Sequence, residues 1–138
     1  MSLKDKQHIL CTEYAADVDN IRARIDSSDE HEIFVGPGWY GILAATNYAL
    51  NVIDPDYKVT QVKEKLGGLR YYYSPSTGVS KHDQLQMREI VEDAERVAWQ
   101  TCEECGDSGR LHKNSWNVKT LCEECLSRQS EHPEKEVH

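Results

Sequence analysis

Four cysteines near the C-terminal end of the chain constrain its fold more than any other feature. They form two C-x2-C pairs separated by sixteen residues: Cys102, Cys105, Cys122 and Cys125. This spacing is typical of a site in which four thiolates surround one zinc ion as a closed tetrahedron. Because four protein ligands leave no coordination position for water or substrate, the pattern predicts one structural Zn²⁺ and not a catalytic one.

Two other interpretations of the same cysteines stay open at this stage. The pairs can form two disulfides, or one C-x-x-C pair can act as a redox centre. A cytosolic compartment keeps thiols reduced, which favours the metal site. Histidines can also serve as ligands, and those of this part of the chain are His112, His132 and His138. The four cysteines complete the shell without them.

The residues between and after the pairs predict a small module around the metal. Residues 111–113 and 116–120 are expected to form two short strands joined at Asn114-Ser115, with an apolar face of Trp116, Val118 and Leu121. The second pair is expected to begin a last short helix. A knuckle, a hairpin and a helix in this order indicate a treble-clef or zinc-ribbon-like module over residues 102–138.

The rest of the chain is long enough for a core of its own. A chain of 138 residues is expected to form an α+β domain over residues 1–101, against which the zinc module docks. It has no run of 18 apolar residues and no leader of basic, apolar and then small residues. We therefore expect a soluble, cytoplasmic protein that makes no membrane contact.

Three apolar stripes at helical spacing predict three helices. The first consists of Leu10, Tyr14, Val18, Ile21 and Ile25. The second follows Gly36-Pro37-Gly38 and consists of Trp39, Leu43, Thr46, Leu50 and Ile53. The third follows a Ser80 cap and includes Met87, Ile90, Val91, Ala94 and Ala98. Cys11 lies beside the first stripe and is expected to be a buried apolar thiol.

A β-hairpin is predicted between the second and third helices. Two β-rich runs, residues 57–66 and 69–73, flank Gly67-Gly68, which can supply the positive φ angles of a two-residue turn. Strict alternation would place Val59 with Gln61 and the lysines on one face. The predicted fold is therefore three helices packed on a two-stranded antiparallel hairpin, with the zinc module at the C-terminus.

The hairpin is a basic segment in an acidic chain. The net charge is −8, yet residues 58–73 contain four basic groups and one acidic group, a net charge of +3. This segment combines cations with tyrosines, which suits phosphates and stacked bases or a protein hot spot. The candidate binding residues are Lys63, Lys65, Arg70, Tyr71 and Tyr73.

Three stretches in this order resemble a group of small proteins encoded by bacteriophages and prophages. They are Gly38-Trp39-Tyr40, the run QVKEKLGGLRY at residues 61–71, and the two cysteine pairs with the Trp116-x-x-Lys119-Thr120-Leu121 that leads into the second pair. The resemblance covers residues 38–125. It implies action in a bacterial cytoplasm, where short acidic phage proteins bind and antagonise host factors. It implies no role for individual residues.

These observations favour a non-enzymatic binding protein whose partner is a host protein, such as a defence or nucleic-acid-processing factor, engaged through acidic surface. The alternative is a nucleic-acid-binding module that uses the basic, tyrosine-rich hairpin. A metal-dependent nuclease has little support, because Asp56 and Gln61-Val62-Lys63 are too close in sequence and glutamine is a poor ligand for Mg²⁺. No nucleophile–base pair or phosphate-binding loop is recognisable.

Overall fold

The computed structural model of the protein describes residues 1–25, 33–113 and 117–130. The α-helices in these residues are α1 (Leu3–Glu13), α2 (Ala15–Ala23), α3 (Tyr40–Ile53), α4 (Lys81–Ala98) and α5 (Glu123–Ser130). The strands are β1 (Ile33–Phe34), β2 (Lys58–Lys65), β3 (Gly68–Ser74), β4 (Arg110–Lys113) and β5 (Val118–Leu121), and a 3₁₀ turn at Pro37–Trp39 precedes α3. The described residues therefore form a mixed α and β structure with two small sheets.

The larger sheet has the order β1-β2-β3. β2 and β3 form the predicted antiparallel hairpin, whereas β1 lies parallel to β2 and pairs Ile33 with Val62 and Phe34 with Lys63. The prediction of a two-stranded sheet was therefore wrong. A strand of two residues has no periodicity that sequence analysis can recognise.

The core lies between one face of this sheet and the helices. α3 packs against α2 and α4, and α4 packs on β3. Trp39, Leu43 and Leu50 are fully buried here, as their helical spacing predicts, and Met87 and Ala98 of α4 are fully buried as well. The predicted cap of α4 is confirmed, because Ser80 Oγ accepts a hydrogen bond from the Asp83 N–H.

The predicted first helix is two helices that meet at Tyr14. At this residue φ is −105° and ψ is 12°, and its N–H still donates to Leu10 O. The break gives the two helices different partners: α1 reaches the cysteine module, where Lys6 Nζ lies 2.9 Å from Asp107 Oδ2, whereas α2 buries Val18 in the core. The prediction of three helices for residues 1–101 was wrong for this reason.

Cys11 is exposed, which contradicts its prediction as a buried thiol. No residue of α1 is buried, whereas Val18 and Ile21 of α2 are. The apolar stripe continues through the break at Tyr14, but only its α2 part packs in the core. Cys11 lies beside the part of the stripe that belongs to α1, where no residue is buried.

The hairpin turn lies one residue earlier than predicted. Lys65 pairs with Gly68, so Leu66 and Gly67 are the two central residues, and both have positive φ angles of 54° and 86°. Gly68 is a strand residue whose lack of a side chain has another cause. A Cβ at Gly68 would lie 2.6 Å from Cζ2 of Trp99, so the indole occupies the space that a side chain would need.

A bulge in β2 overturns the predicted division of its faces. The register shifts between Val59 and Gln61, so Val59 and Val62 both face the core and are at most 1% exposed. A bulge adds one residue to one strand and thereby reverses the alternation beyond it. Gln61 and Lys63 consequently lie on the outer face, but Val59 does not share it.

Candidate metal centre and binding surfaces

The first cysteine pair lies in a tight turn. The Gly106 N–H donates to Cys102 O at 2.9 Å, and the Cys102 N–H donates to Asp107 O at 2.7 Å. Gly106 has a φ of +84°, in the left-handed region that favours glycine. This turn allows the side chains of Cys102 and Cys105 to point to the same place.

The second pair lies where β5 ends and α5 begins. Cys122 directly follows the strand, and Cys125 lies in the first turn of α5, where its N–H donates to Cys122 Sγ at 3.4 Å. The strand and the helix confirm the short elements that the sequence predicts around this pair. The predicted turn at Asn114-Ser115 and the side chain of Trp116 lie outside the described residues.

The four thiols converge on one point. All four Sγ atoms lie within 4.8 Å of one another, and those of Cys105 and Cys122 are 3.7 Å apart. A tetrahedron with metal–sulfur bonds of about 2.3 Å has sulfur–sulfur edges of about 3.8 Å. A disulfide requires about 2.05 Å, and all five cysteines are free. The cluster can therefore hold a metal ion.

The electrostatics of the cluster fit a cation at its centre. Burial raises the pKa of Cys105 to about 12 and also raises the pKa of Cys125, because a thiolate is costly in an apolar environment. Burial acts in the same direction on Cys122, but the Cys125 N–H and the neighbouring thiols reverse it and lower the pKa of Cys122. Four thiolates so close together need a positive ion to compensate their charge.

The module docks on the core through backbone contacts at the start of α3. The Gly38 N–H donates to Glu103 O at 2.7 Å, and a Cβ at Gly38 would lie 2.1 Å from Cys102 O. Trp39 Nε1 donates to Thr101 O at 2.8 Å, which ties the largest core side chain to the residue before the first cysteine. The backbone around the first cysteine pair therefore packs directly against Gly38, at a distance that leaves no room for a side chain on Gly38.

A second contact joins the module to the tip of the β2–β3 hairpin. Thr120 Oγ1 donates to Gly67 O at 2.7 Å, and Lys119 Nζ lies 3.2 Å from Glu64 Oε1 and 3.5 Å from Glu103 Oε1. Burial acts to lower the pKa of Lys119, but the two carboxylates raise it above its ordinary value. Lys119 therefore bridges the hairpin and the first cysteine turn as a cation.

Glu103 is a buried carboxylate of this contact, with 6% exposure. Its Oε2 accepts the Gly36 N–H at 2.9 Å. Burial raises the pKa of Glu103, and the Gly36 N–H and the Lys119 ammonium counteract that rise only in part. The cysteine spacing singled out its neighbours, but nothing in the sequence marked Glu103 itself as part of the docking contact.

The histidines considered as ligands do not join the cluster. His112 Nε2 lies 3.1 Å from Leu121 O and bonds to the backbone of the opposite strand. His132 and His138 lie outside the described residues. Among residues 1–25, 33–113 and 117–130, the four cysteines are the one group of potential ligands that could hold a metal. Asp56, considered for a metal-dependent nuclease, belongs to no such group in these residues.

The predicted binding residues divide between the two faces of the sheet. Lys63 pairs directly with Arg70 on the outer face, and Lys65 lies two residues beyond Lys63. Tyr71 is 2% exposed and Tyr73 packs against the core, so neither offers a ring to a ligand beside the lysines. Interpreting Tyr71 and Tyr73 as stacking platforms was wrong, because a strand alternates its faces.

Two aromatic residues of the outer face were not among the predicted binding residues. Tyr72 is 43% exposed and Phe34 is 48% exposed. Alternation could have found Tyr72, since it lies two residues from Arg70 on the same strand. Phe34 could not be found, because nothing in the sequence identifies β1 as a strand.

No protein-family model matches the chain, and no curated protein or solved structure is significantly similar to it. In the described part of the chain, the helices are too short or too polar to cross a membrane.

Proposed function

We propose that the protein is a zinc-stabilised, non-enzymatic binding protein of a bacteriophage that acts on a host protein, such as a defence or nucleic-acid-processing factor. The observation that carries the first part is the convergence of four Sγ atoms within 4.8 Å. Four thiolates in a tetrahedral arrangement select zinc or iron, and a shell complete in protein ligands serves the fold. When bound, zinc would be held by Cys102, Cys105, Cys122 and Cys125.

The metal proposal predicts one zinc ion per chain. Elemental analysis of freshly reduced protein should give about one equivalent, and Cys102→Ser should lose both the metal and thermal stability. Cys11→Ser is the matched control, because Cys11 is exposed and lies outside the cluster. A metal content well below one equivalent in the reduced native protein, or equal losses from both variants, would refute the proposal.

The pH dependence of metal binding follows from the thiol pKa values. Burial raises the pKa of Cys105 to about 12, and the metal binds the thiolate, so protons compete with the metal. We expect zinc affinity, measured by competition with a chelator, to fall steeply as the pH is lowered from 8 to 5. An affinity that is constant over this range would show that the thiols are not the ligands.

The proposed partner surface lies where α2 and α3 meet the start of β2. Tyr48 and Val52 of α3 are 73% and 66% exposed, so they take no part in the core. Tyr48 lines a cavity of about 410 Å³ together with two acidic residues, Asp17 and Asp56, and two basic ones, Arg24 and Lys58. An exposed tyrosine beside charged groups of both signs suits a protein partner that offers an apolar pocket with a charged rim.

The acidic surface expected from the sequence is smaller than its charge count indicates. Asp19 forms an ion pair with Arg22 at 2.9 Å, and Glu95 Oε2 accepts the Tyr71 N–H at 3.3 Å. These two carboxylates are therefore committed within the protein. Asp17 and Asp56 are better candidates for steering a basic partner, because they lie at the cavity beside Tyr48.

A capture experiment tests this partner surface. Tagged protein should retain a specific host protein from a nuclease-treated bacterial lysate, and Tyr48→Ala should weaken that complex by about 30-fold or more if Tyr48 is a hot spot. Leu85→Ala is the control, because Leu85 is 54% exposed on α4, away from the cavity. Loss of the captured protein after nuclease treatment, or equal effects of the two variants, would contradict the proposal.

A further inference from the structure

We propose that the outer face of the three-stranded sheet is a binding site for single-stranded nucleic acid. This site is separate from the protein-binding surface proposed above and does not depend on it. The outer sheet face consists of Phe34, Gln61, Lys63, Lys65, Arg70 and Tyr72. It lies opposite the face that packs on the helices.

The sheet register brings these side chains from three strands into adjacent rows. Phe34 pairs with Lys63, and Lys63 pairs with Arg70, which makes one continuous row across the sheet. Gln61 pairs with Tyr72 in the next row. In each strand the neighbouring residue faces the core: Ile33, Val62 and Tyr71 are buried. The aromatic and basic residues therefore share one surface.

The groups on this face are available to a ligand. Phe34 and Tyr72 are almost half exposed although both are large aromatic residues. Within the described part of the chain, Lys63 and Lys65 form no ion pair, and the Arg70 guanidinium donates to Leu69 O at 3.2 Å and forms no ion pair. Core packing and internal ion pairs thus leave two aromatic rings and three cations at the surface.

The one carboxylate of the hairpin does not neutralise these cations. Glu64 Oε1 lies 3.2 Å from Lys119 Nζ, and its Oε2 accepts the Gly67 N–H at 2.7 Å. One oxygen is therefore directed towards the cysteine module and the other towards the hairpin's own turn. The outer sheet face keeps a charge of about +3 although the whole chain carries −8, and at physiological salt charges beyond about 8 Å are largely screened.

The spacing of the rings fits unpaired bases. Neighbouring strands lie roughly 4.8 Å apart and each residue advances a strand by roughly 3.4 Å, which places Phe34 and Tyr72 roughly 12 Å apart. A single strand can splay its bases onto two such rings while its phosphates meet the cations between them. A duplex stacks its bases internally, and its higher charge density would be repelled more strongly by the acidic remainder of this chain. The occupant is therefore a single strand, of DNA or RNA.

Fluorescence anisotropy with labelled ten-nucleotide strands of deoxythymidine and of uridine, and with a DNA duplex of equal length, tests the site. We expect the native protein to bind one or both single strands more tightly than the duplex. The comparison of the two strands shows whether the 2′-hydroxyl contributes. Three phosphate contacts predict a log–log salt slope of about −2. Absence of single-strand binding at 50 mM salt, or preference for the duplex, would overturn the proposal.

Variants with matched controls locate the site. Tyr72→Ala should weaken binding about five- to a hundredfold, the usual effect of losing one stacked base. Leu85→Ala removes an exposed apolar side chain from α4 and should leave binding unchanged. Equal effects of these two variants would overturn the proposal.

Charge variants test the same site independently of stacking. Lys63→Gln with Arg70→Gln should reduce the salt slope to about −0.7, because one of three phosphate contacts would remain. Lys4→Gln with Lys81→Gln removes the same charge elsewhere and should leave the slope unchanged. If poly-glutamate displaces the strand at equal charge concentration and Tyr72→Ala has no effect, the face binds acidic peptides and the proposal fails.

Discussion

A chain of buried hydroxyl groups links the hairpin to α3. Tyr57 OH lies 2.5 Å from Asn47 Oδ1 and 2.7 Å from Tyr71 OH, and burial raises the pKa of both tyrosines, so both keep their protons. Asn47 Oδ1 can only accept, so Tyr57 must donate to it. Tyr57 has a single proton, and Tyr71 is therefore the donor in the bond between the two tyrosines.

This polarity predicts unequal costs for two chemically identical deletions. Tyr57→Phe breaks both hydrogen bonds and leaves the Tyr71 hydroxyl and Asn47 Oδ1 buried without partners, at about 1 to 3 kcal/mol each, or about 2 to 6 kcal/mol together. Tyr71→Phe breaks one bond and strands no donor, which costs about 1 kcal/mol. The ring of Tyr57, 4.2 Å from the Arg24 guanidinium, remains in Tyr57→Phe and does not enter the difference.

Urea unfolding at pH 7 under reducing conditions, with saturating zinc, measures these costs. The double variant Tyr57→Phe, Tyr71→Phe should be no less stable than Tyr57→Phe alone, because the second change removes a donor that the first has stranded. Equal costs for the single variants would refute the assigned direction of the hydrogen bonds. Additive costs in the double variant would show that the two hydroxyls are not coupled.

Two further changes test the packing of the module and of the core. Gly38→Ala should lower the free energy of unfolding by more than about 2 kcal/mol in urea titrations, because its Cβ would lie 2.1 Å from the Cys102 backbone oxygen, which cannot move aside as a flexible side chain does. A near-neutral Gly38→Ala would mean that the module does not dock here. Leu43→Ala should cost about 2 to 4 kcal/mol because Leu43 is fully buried. Leu85→Ala, 54% exposed on α4, should cost less than about 0.5 kcal/mol in the same assay; similar values for both leucines would place Leu43 outside the core.

The cysteine cluster could be predicted from the sequence because the pattern that defines it is local. Two residues between paired cysteines fix the geometry of each pair, and the structure brings all four sulfurs together. The docking of the module could not be derived in the same way. It depends on Gly38 and Lys119, which meet Cys102 and Glu64 across large distances in sequence and belong to no local pattern.

The hairpin shows why a local pattern can be correct in kind and wrong in register. Gly67-Gly68 correctly indicates a tight turn, but the pair offers two glycines for a turn that uses only one of them. Gly68 is needed because Trp99, thirty-one residues later in sequence, fills the space beside it. Leu66 takes the other positive φ position at an energetic cost that its sequence context does not reveal.

Periodicity likewise located helical segments of the chain but did not predict the break at Tyr14 or the packing partners of the helices. The stripe from Leu10 to Ile25 is regular across Tyr14, although α1 and α2 pack against different parts of the protein. Ile25 itself is buried, but it pairs with Val59 as an isolated bridge and not as a helical residue. A repeat of three and four residues indicates which side chains share one helix face, and whether that face is buried is decided by the tertiary fold.

The cysteine module affects the charge of the outer sheet face, although it contributes no residue to that face. Without Lys119, the charge of Glu64 would be uncompensated and would reduce the positive field of the hairpin. With Lys119 held 3.2 Å from Glu64 Oε1, that carboxylate is neutralised inside the protein. Lys119 lies on β5, three residues before Cys122, so a metal held by the proposed site would also hold this ammonium in place. A structural metal can in this way determine the binding properties of the outer sheet face without contacting a ligand.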